Sequence, residues 1–305
     1  MPIKIPDNLP AFKTLSEEGV SLIGTEDARR QDIRPIKIAI LNLMPEKIPT
    51  ETQLARVLGS TPLQVDLTLL QTSSYTPKNT SVEHMKAFYR SWEDVKTEKF
   101  DGLIITGAPV ETLEFDEVLY WQELVSIMDW STTNVFSNFN ICWGAQAALY
   151  HFHSIPKYDL EGKAFGAIWH KNLAPSHPLM RGFDDEFKVP VSRHTENLRE
   201  DIEKVSALEI LAESDDAGLC LISELSKHRF YMFNHLEYDV GTLKKEYDRD
   251  VVANKPIDVP KDYYPSNDPS LAPVNSWRSH GHMLYGNWVN YVYQNTPYDL
   301  SLIGR

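Results

Sequence analysis

The chain has 305 residues, 42% hydrophobic and 24% charged, proportions ordinary for a soluble globular protein with one large α/β domain or two small ones. Its net charge of -13 argues against nucleic acid as a partner, because phosphate binding needs a basic surface. Cys142 and Cys220 are its two cysteines, which rules out a disulfide framework and fits a reducing, cytoplasmic compartment.

The stretch from Met1 to Pro6 lacks the apolar core of a signal peptide. Residues 1–35 hold four prolines and scattered charges, and are expected to form an arm on the main domain or on a partner subunit. Residues 36–43 are mostly apolar and read as a first strand buried on both faces. A loop through Lys47 follows, and Thr50 is expected to cap a helix with Gln53 as its capping-box partner and Gly59 as its stop. Residues 64–70 read as a second strand, 82–93 as a helix, 101–106 as a third strand and 116–130 as an amphipathic helix.

Residues 135–141 are rich in β-branched and aromatic side chains, as a buried strand requires. Residues 130–156 carry no Asp, Glu, Lys or Arg, but their Asn, Gln, His, Ser and Thr are too polar for hydrocarbon. The second half yields short strand candidates at 164–170, 187–191, 208–212, 219–223 and 229–234. Helices at 239–253 and 283–294 and a proline-rich loop at 255–274 complete it. Strands alternating with helices predict a doubly wound, mostly parallel sheet with a mixed or antiparallel extension. The chain reads as an arm (1–35) and a single domain (36–305). Ligands bind such sheets at the carboxyl ends of the strands, where the Lys47 loop, the Gly107 loop and the Cys142 turn converge.

Cys142 stands where the buried strand turns into the small, helix-forming run 144–149. A cysteine on such a turn is presented above the sheet, and the following helix N-terminus favours the reactive thiolate; a buried inert cysteine is the competing explanation. Far downstream, His235 and Glu237 lie two residues apart, so in extended chain the carboxylate can orient the imidazole. Nucleophile, base and orienting acid are the parts of covalent acyl-transfer catalysis. Cys220, in an apolar run, reads as core.

The cysteine turn followed by a distant His-x-Glu resembles the class I glutamine amidotransferases. A closer resemblance is to the MetA family of homoserine O-acyltransferases, which use that fold. It is carried by residues 32–35, 38–47, 50–53, 101–109, 141–146, 181–185, 192–195, 237–239 and 277–281. The resemblance implies that Cys142 takes the acyl group from acyl-CoA as a thioester, with His235 as general base and Glu237 orienting it. It places Lys163, Ser192 and Arg249 around the acceptor amino acid, and physically Arg249 suits a carboxylate. Lys47, Gly107 and Trp143 are candidates for the acyl and oxyanion region. In that family Glu at position 111 goes with acetyl-CoA and Gly with succinyl-CoA; Glu111 would fill the acyl pocket and repel a succinyl carboxylate. The resemblance further implies no bound cofactor or metal, acetyl-CoA as co-substrate, and a homodimer.

Four positions depart from the family pattern: Trp169 and Val191 replace polar residues, and Asn234 and Leu236 stand where Gly and Pro flank the histidine. The first two are expected to place apolar bulk near the acceptor, so L-serine stands beside L-homoserine as the expected acceptor. Homoserine O-succinyl transfer, glutamine hydrolysis by the same three residues, and a redox-sensing or binding module on the same fold are the competing activities.

Overall fold

Ile38 and Ile40 point to one side of their strand and Ala39 and Leu41 to the other, and all four are buried, so this strand is covered on both faces. The computed structural model describes residues 3–18, 20, 22–23, 34–74 and 79–304. Within these, twelve strands join in one sheet. They are β1 (Ile3–Lys4), β2 (Leu22–Ile23), β3 (Ile36–Leu41), β4 (Val65–Gln71), β5 (Tyr89–Ser91), β6 (Phe100–Ile105), β7 (Val135–Ile141), β8 (Tyr158–Asn172), β9 (Glu186–Glu196), β10 (Glu209–Ser214), β11 (Gly218–Glu224) and β12 (Arg229–Met232).

The spatial order is β2-β1-β4-β3-β6-β7-β12-β11-β10-β8-β9, with β5 on the far side of β4. From β2 to β12 the pairings are parallel; beyond β12 they are antiparallel. The core β4-β3-β6-β7-β12 is a doubly wound order whose direction of winding reverses between β3 and β6. Helices Lys47–Leu58 and Arg278–Asn295 cover the face carrying Ile38, Ile40 and Phe139. Helices Trp121–Asn134 and Trp143–His153 cover the face carrying Ala39, Leu41 and Leu103. Gly102 admits Trp288 onto the sheet: a Cβ there would lie 2.8 Å from the indole, whose Nε1 donates to Ser137 Oγ at 3.0 Å.

Of the mixed or antiparallel extension expected for the second half, the antiparallel form is present, as the long β8–β9 hairpin and the β10–β11 pair. Several local expectations change. The first crossover helix starts at Lys47, and Thr50 lies inside it with its hydroxyl on Glu46 O, so Thr50 is not the cap and Lys47 is not on a free loop. The region 82–93 splits into helix Val82–Phe88, strand β5 and a short helix Trp92–Val95, because Tyr89 pairs beside Leu69. Residues 115–117 form a 3₁₀ turn before the helix that begins at Trp121. The expected arm contributes β1 and β2 to the main sheet, with helix Pro10–Glu17 burying Ala11 and Leu15. Asp32 and Ile33 of the 32–35 motif lie outside the described residues; Arg34 pairs with the buried Asp101 at 3.0 Å.

Candidate active site

β7 ends at Ile141 and the helix Trp143–His153 begins one residue later, so the whole turn falls on Cys142. Its backbone takes φ 53° and ψ −121°, a conformation costly for a side-chain-bearing residue, of order 1–3 kcal/mol. The strain is held from two sides. Cys142 N–H donates to Met232 O at 2.7 Å, and Gly144 brings the helix onto β6, where a Cβ would stand 2.7 Å from Thr106 O and 2.8 Å from Ile105 O. Gly107 lies against Cys142: a Cβ there would sit 3.1 Å from Cys142 Cβ and 3.5 Å from Sγ. Trp143 is the first helical residue, where N–H groups have no partner within the helix, while its indole is buried beside Phe115 and Tyr120.

His235 and Glu237 lie just past β12, which is parallel to and adjacent to β7, so the topology delivers them to Cys142. His235 Nδ1 is 2.7 Å from Glu237 Oε1, and the ring stacks on Tyr238 at 4.0 Å. With Nδ1 occupied by Glu237, the other ring nitrogen is left free, and the Cys142 sulfur is near enough to bear on the charge of the ring. Burial alone would push the imidazolium down; the Glu237 carboxylate and the Cys142 sulfur outweigh it and hold the proton up to about 10. Tyr285 donates to the second Glu237 oxygen at 3.3 Å.

The β8–β9 hairpin supplies the facing wall. Phe165 and Ser192 are opposite one another in its register, and Lys163 Nζ lies 4.0 Å over the Phe165 ring. Lys163 Nζ and Ser192 Oγ both reach Glu246 Oε2, at 2.9 and 2.6 Å. Glu246 was missed in the sequence; the signal was its place one turn before Arg249 on helix Thr242–Val252. Arg249 itself is not drawn into the cluster. Its guanidinium grips Asp250 through two 2.8 Å bonds and its side chain is 64% exposed. Glu111 lies near Lys163 and His235: burial raises its carboxyl, against the opposing influence of His194, Lys163 and His235, and its Oε2 is buried without a hydrogen-bond partner. Lys47 Nζ donates to Asn42 O, and burial pushes the ammonium down to about 8 against the opposing charge of Glu51.

The two departures expected to crowd the acceptor lie away from the Lys163–Ser192–Glu246 cluster. Val191 is one residue from Ser192 on an extended strand, so it points to the opposite face, packed with Ile168 and Ala217. Trp169 pairs with Lys188, four residues along β8 from Phe165, and is largely exposed under the Lys188 ammonium. The physical reason for preferring serine therefore falls away. Among the described residues no group of three His, Cys, Asp or Glu is placed to hold a metal, and no helix is long and apolar enough to cross a membrane.

Solved structures share this arrangement of strands. A glutamine amidotransferase from Thermotoga maritima superposes with a TM-score of 0.57 at 11% identity, covering 86% of this chain and all of its own. A glutamine amidotransferase from Methylobacillus flagellatus gives 0.53 at 10%, covering 85% of this chain and 95% of that one. At such identities the likeness is one of fold. Among sequences, a homoserine O-acetyltransferase of Sinorhizobium fredii is 59% identical, spanning 100% of this chain and 99% of its own length. One of Cereibacter sphaeroides is 54% identical over the full length of both. The family model for homoserine O-succinyltransferase matches residues 2–298, and the chain belongs to that family.

Proposed function

We propose that this chain transfers an acetyl group from acetyl-CoA to the side-chain hydroxyl of L-homoserine, through an acetyl-Cys142 intermediate. The observation that carries the chemistry is the line Glu237–His235–Cys142 at the carboxyl edge of the sheet. The relatives named homoserine O-acetyltransferase support the donor and acceptor. In the first half-reaction the Cys142 sulfur attacks the thioester carbonyl, and N–H groups at the turn, with Trp143 and the Gly107 loop as candidates, receive the oxyanion. The carbon–sulfur bond to CoA breaks and the leaving thiolate takes the proton held on His235. In the second, His235 removes the homoserine hydroxyl proton as that oxygen attacks the thioester, and the Cys142 sulfur leaves.

The acceptor fits the wall opposite. Its ammonium takes Glu246, beside Ser192, and its carboxylate takes Lys163 and Arg249, which must first exchange Asp250 for it. Glu111 beside the acyl position favours acetyl over succinyl, because a second carboxylate there meets like charge. Such a product belongs to amino-acid biosynthesis, with the acetate as leaving group for a later sulfur exchange. No bound cofactor is needed, and the paired site is proposed to sit in a cytoplasmic homodimer.

Mass measurement after mixing with acetyl-CoA alone is expected to find one acetyl group on Cys142, absent in Cys142→Ser. Thiol release should then depend on homoserine and be much slower with serine. An unmodified Cys142, or ammonia release from glutamine without CoA turnover, would overturn the proposal in favour of glutamine hydrolysis.

A further inference from the structure

The residue before the base is Asn234, whose side chain is fully buried. Its amide Nδ2 is 3.0 Å from His170 Nε2, and His170 Nδ1 is 2.9 Å from Ile168 O. A carbonyl only accepts, so Nδ1 carries the hydrogen, Nε2 offers its lone pair, and Asn234 must present its NH₂ to it. The arrangement requires a neutral His170, and burial supplies it by pushing the imidazolium down to about 4. The other groups facing His170 are the Phe183–Phe187 aromatics and the Arg193 guanidinium, which reinforces the same direction. Next to Asn234, Phe233 N–H donates to Cys220 O at 2.8 Å, and burial holds the Cys220 thiol protonated, up to about 12.

These bonds tie the His235 turn to β8. A second tie, His235 N to Pro190 O at 2.9 Å, reaches β9. Both strands belong to the hairpin that carries Lys163 and Ser192. Leu236, following the base, leaves φ free, so the turn has no backbone stiffener of its own. We propose that Asn234 and His170 are a positioning pair that sets the register between the general base and the acceptor wall. Acetylation of Cys142 uses only the sulfur and the His235 imidazole, which Glu237 and the Tyr238 ring hold without the Asn234–His170 pair. Attack by the acceptor needs base and hairpin in register. The pair therefore acts on the second half-reaction.

This inference rests on the acetyl-Cys142 chemistry proposed above. The test follows the two half-reactions separately by rapid-quench mass measurement: acetylation of Cys142 by acetyl-CoA, then its discharge by homoserine. Asn234→Leu keeps the branched shape and removes the donor; His170→Leu removes the acceptor; His170→Gln returns an acceptor at the Nε2 position. With Asn234→Leu and His170→Leu, acetylation should stay within a few-fold while discharge by homoserine falls about 10²-fold, the size of a 1 Å misplacement. His170→Gln should recover most of the discharge rate. Equal loss in both half-reactions, no loss in either, or failure of His170→Gln to recover would overturn the pairing. Should the leucine variants fail to fold, nitrogen NMR of His170 in the native protein decides: an unchanging Nδ1–H tautomer from pH 5.5 to 9 supports the pair, and an Nε2–H tautomer overturns it. A native protein that never forms acetyl-Cys142 would instead overturn the proposed function, whatever the variants do.

Discussion

At the scale of single residues, His235 concentrates the opposing forces of the site. Burial opposes its charge, and Glu237 and the Cys142 sulfur more than compensate, so the folded protein holds this proton up to about 10. An unfolded histidine titrates near 6.5, so the folded value is raised. The stabilisation is therefore complete below about pH 6.5 and is lost as pH rises through about 10. The expected outcome is a melting temperature that declines across that window, and a flatter decline in Glu237→Gln, where the largest opposing charge is gone. Parallel declines in the two proteins would show that Glu237 does not hold the proton. Glu111 allows a separate check. Removing its buried carboxylate in Glu111→Gly should raise kcat/KM for succinyl-CoA by at least tenfold, since a like charge and the filled volume both disappear. An unchanged donor ratio would place donor selection elsewhere. Cys142, His235 and Glu237 were legible in the sequence because a strand-to-helix switch and a two-residue spacing are local signals. Glu246, Asn234 and His170 were not, because their partners lie on other elements. Arg249 was legible as a residue type suited to a carboxylate, but its grip on Asp250 depends on a rotamer that no spacing encodes.

At the scale of elements, glycines decide how closely helices approach the reacting groups. Gly281, on helix Arg278–Asn295, faces the carbonyl of Leu236, and a Cβ there would lie 2.3 Å from that oxygen. The helix or the His235 turn must move to admit it. Gly281→Ala is expected to lower kcat by about 10²-fold with the helical circular dichroism unchanged. Unchanged turnover would show that the turn yields freely. Gly144→Ala tests the opposite side of Cys142, where the obstacle is two strand carbonyls. Overpacking there should destabilise the fold by about 1–3 kcal/mol, read from urea midpoints at constant slope. The parallel core was readable from apolar runs of strand length, each followed by a helical pattern. The ends of the helices were not. Glu46 caps the helix of Lys47 without a side-chain hydrogen bond, so Thr50, the residue with the right chemistry, drew the boundary four positions late.

At the scale of the molecule, the site depends on a sheet whose outer edge is closed by the N-terminal segment. Ile3 and Lys4 pair in parallel with Val65 and Asp66, so without them β4 would offer its free backbone groups to other chains. Ile3, Ile5, Leu9 and Leu15 are all buried in the same core as Leu54, Ala55 and Leu58 of the helix that Lys47 begins. Four such side chains are worth about 6–12 kcal/mol at most when fully buried. A whole domain is stable by only about 5–15 kcal/mol. Residues 1–35 are expected from the sequence to form an arm on the main domain or on a partner subunit; their described part lies on the main domain and adds two strands to its sheet, each too short to show periodicity. A chain beginning at Arg34 keeps every residue assigned to the reaction and also the Arg34–Asp101 pair. It is nevertheless expected to lose its cooperative thermal transition and to aggregate, with light scattering rising at concentrations where the full chain remains clear. If the shortened chain stays monomeric and melts within a few degrees of the full one, β4 closes its own edge and the N-terminal segment contributes little to holding the helix of Lys47 against the sheet.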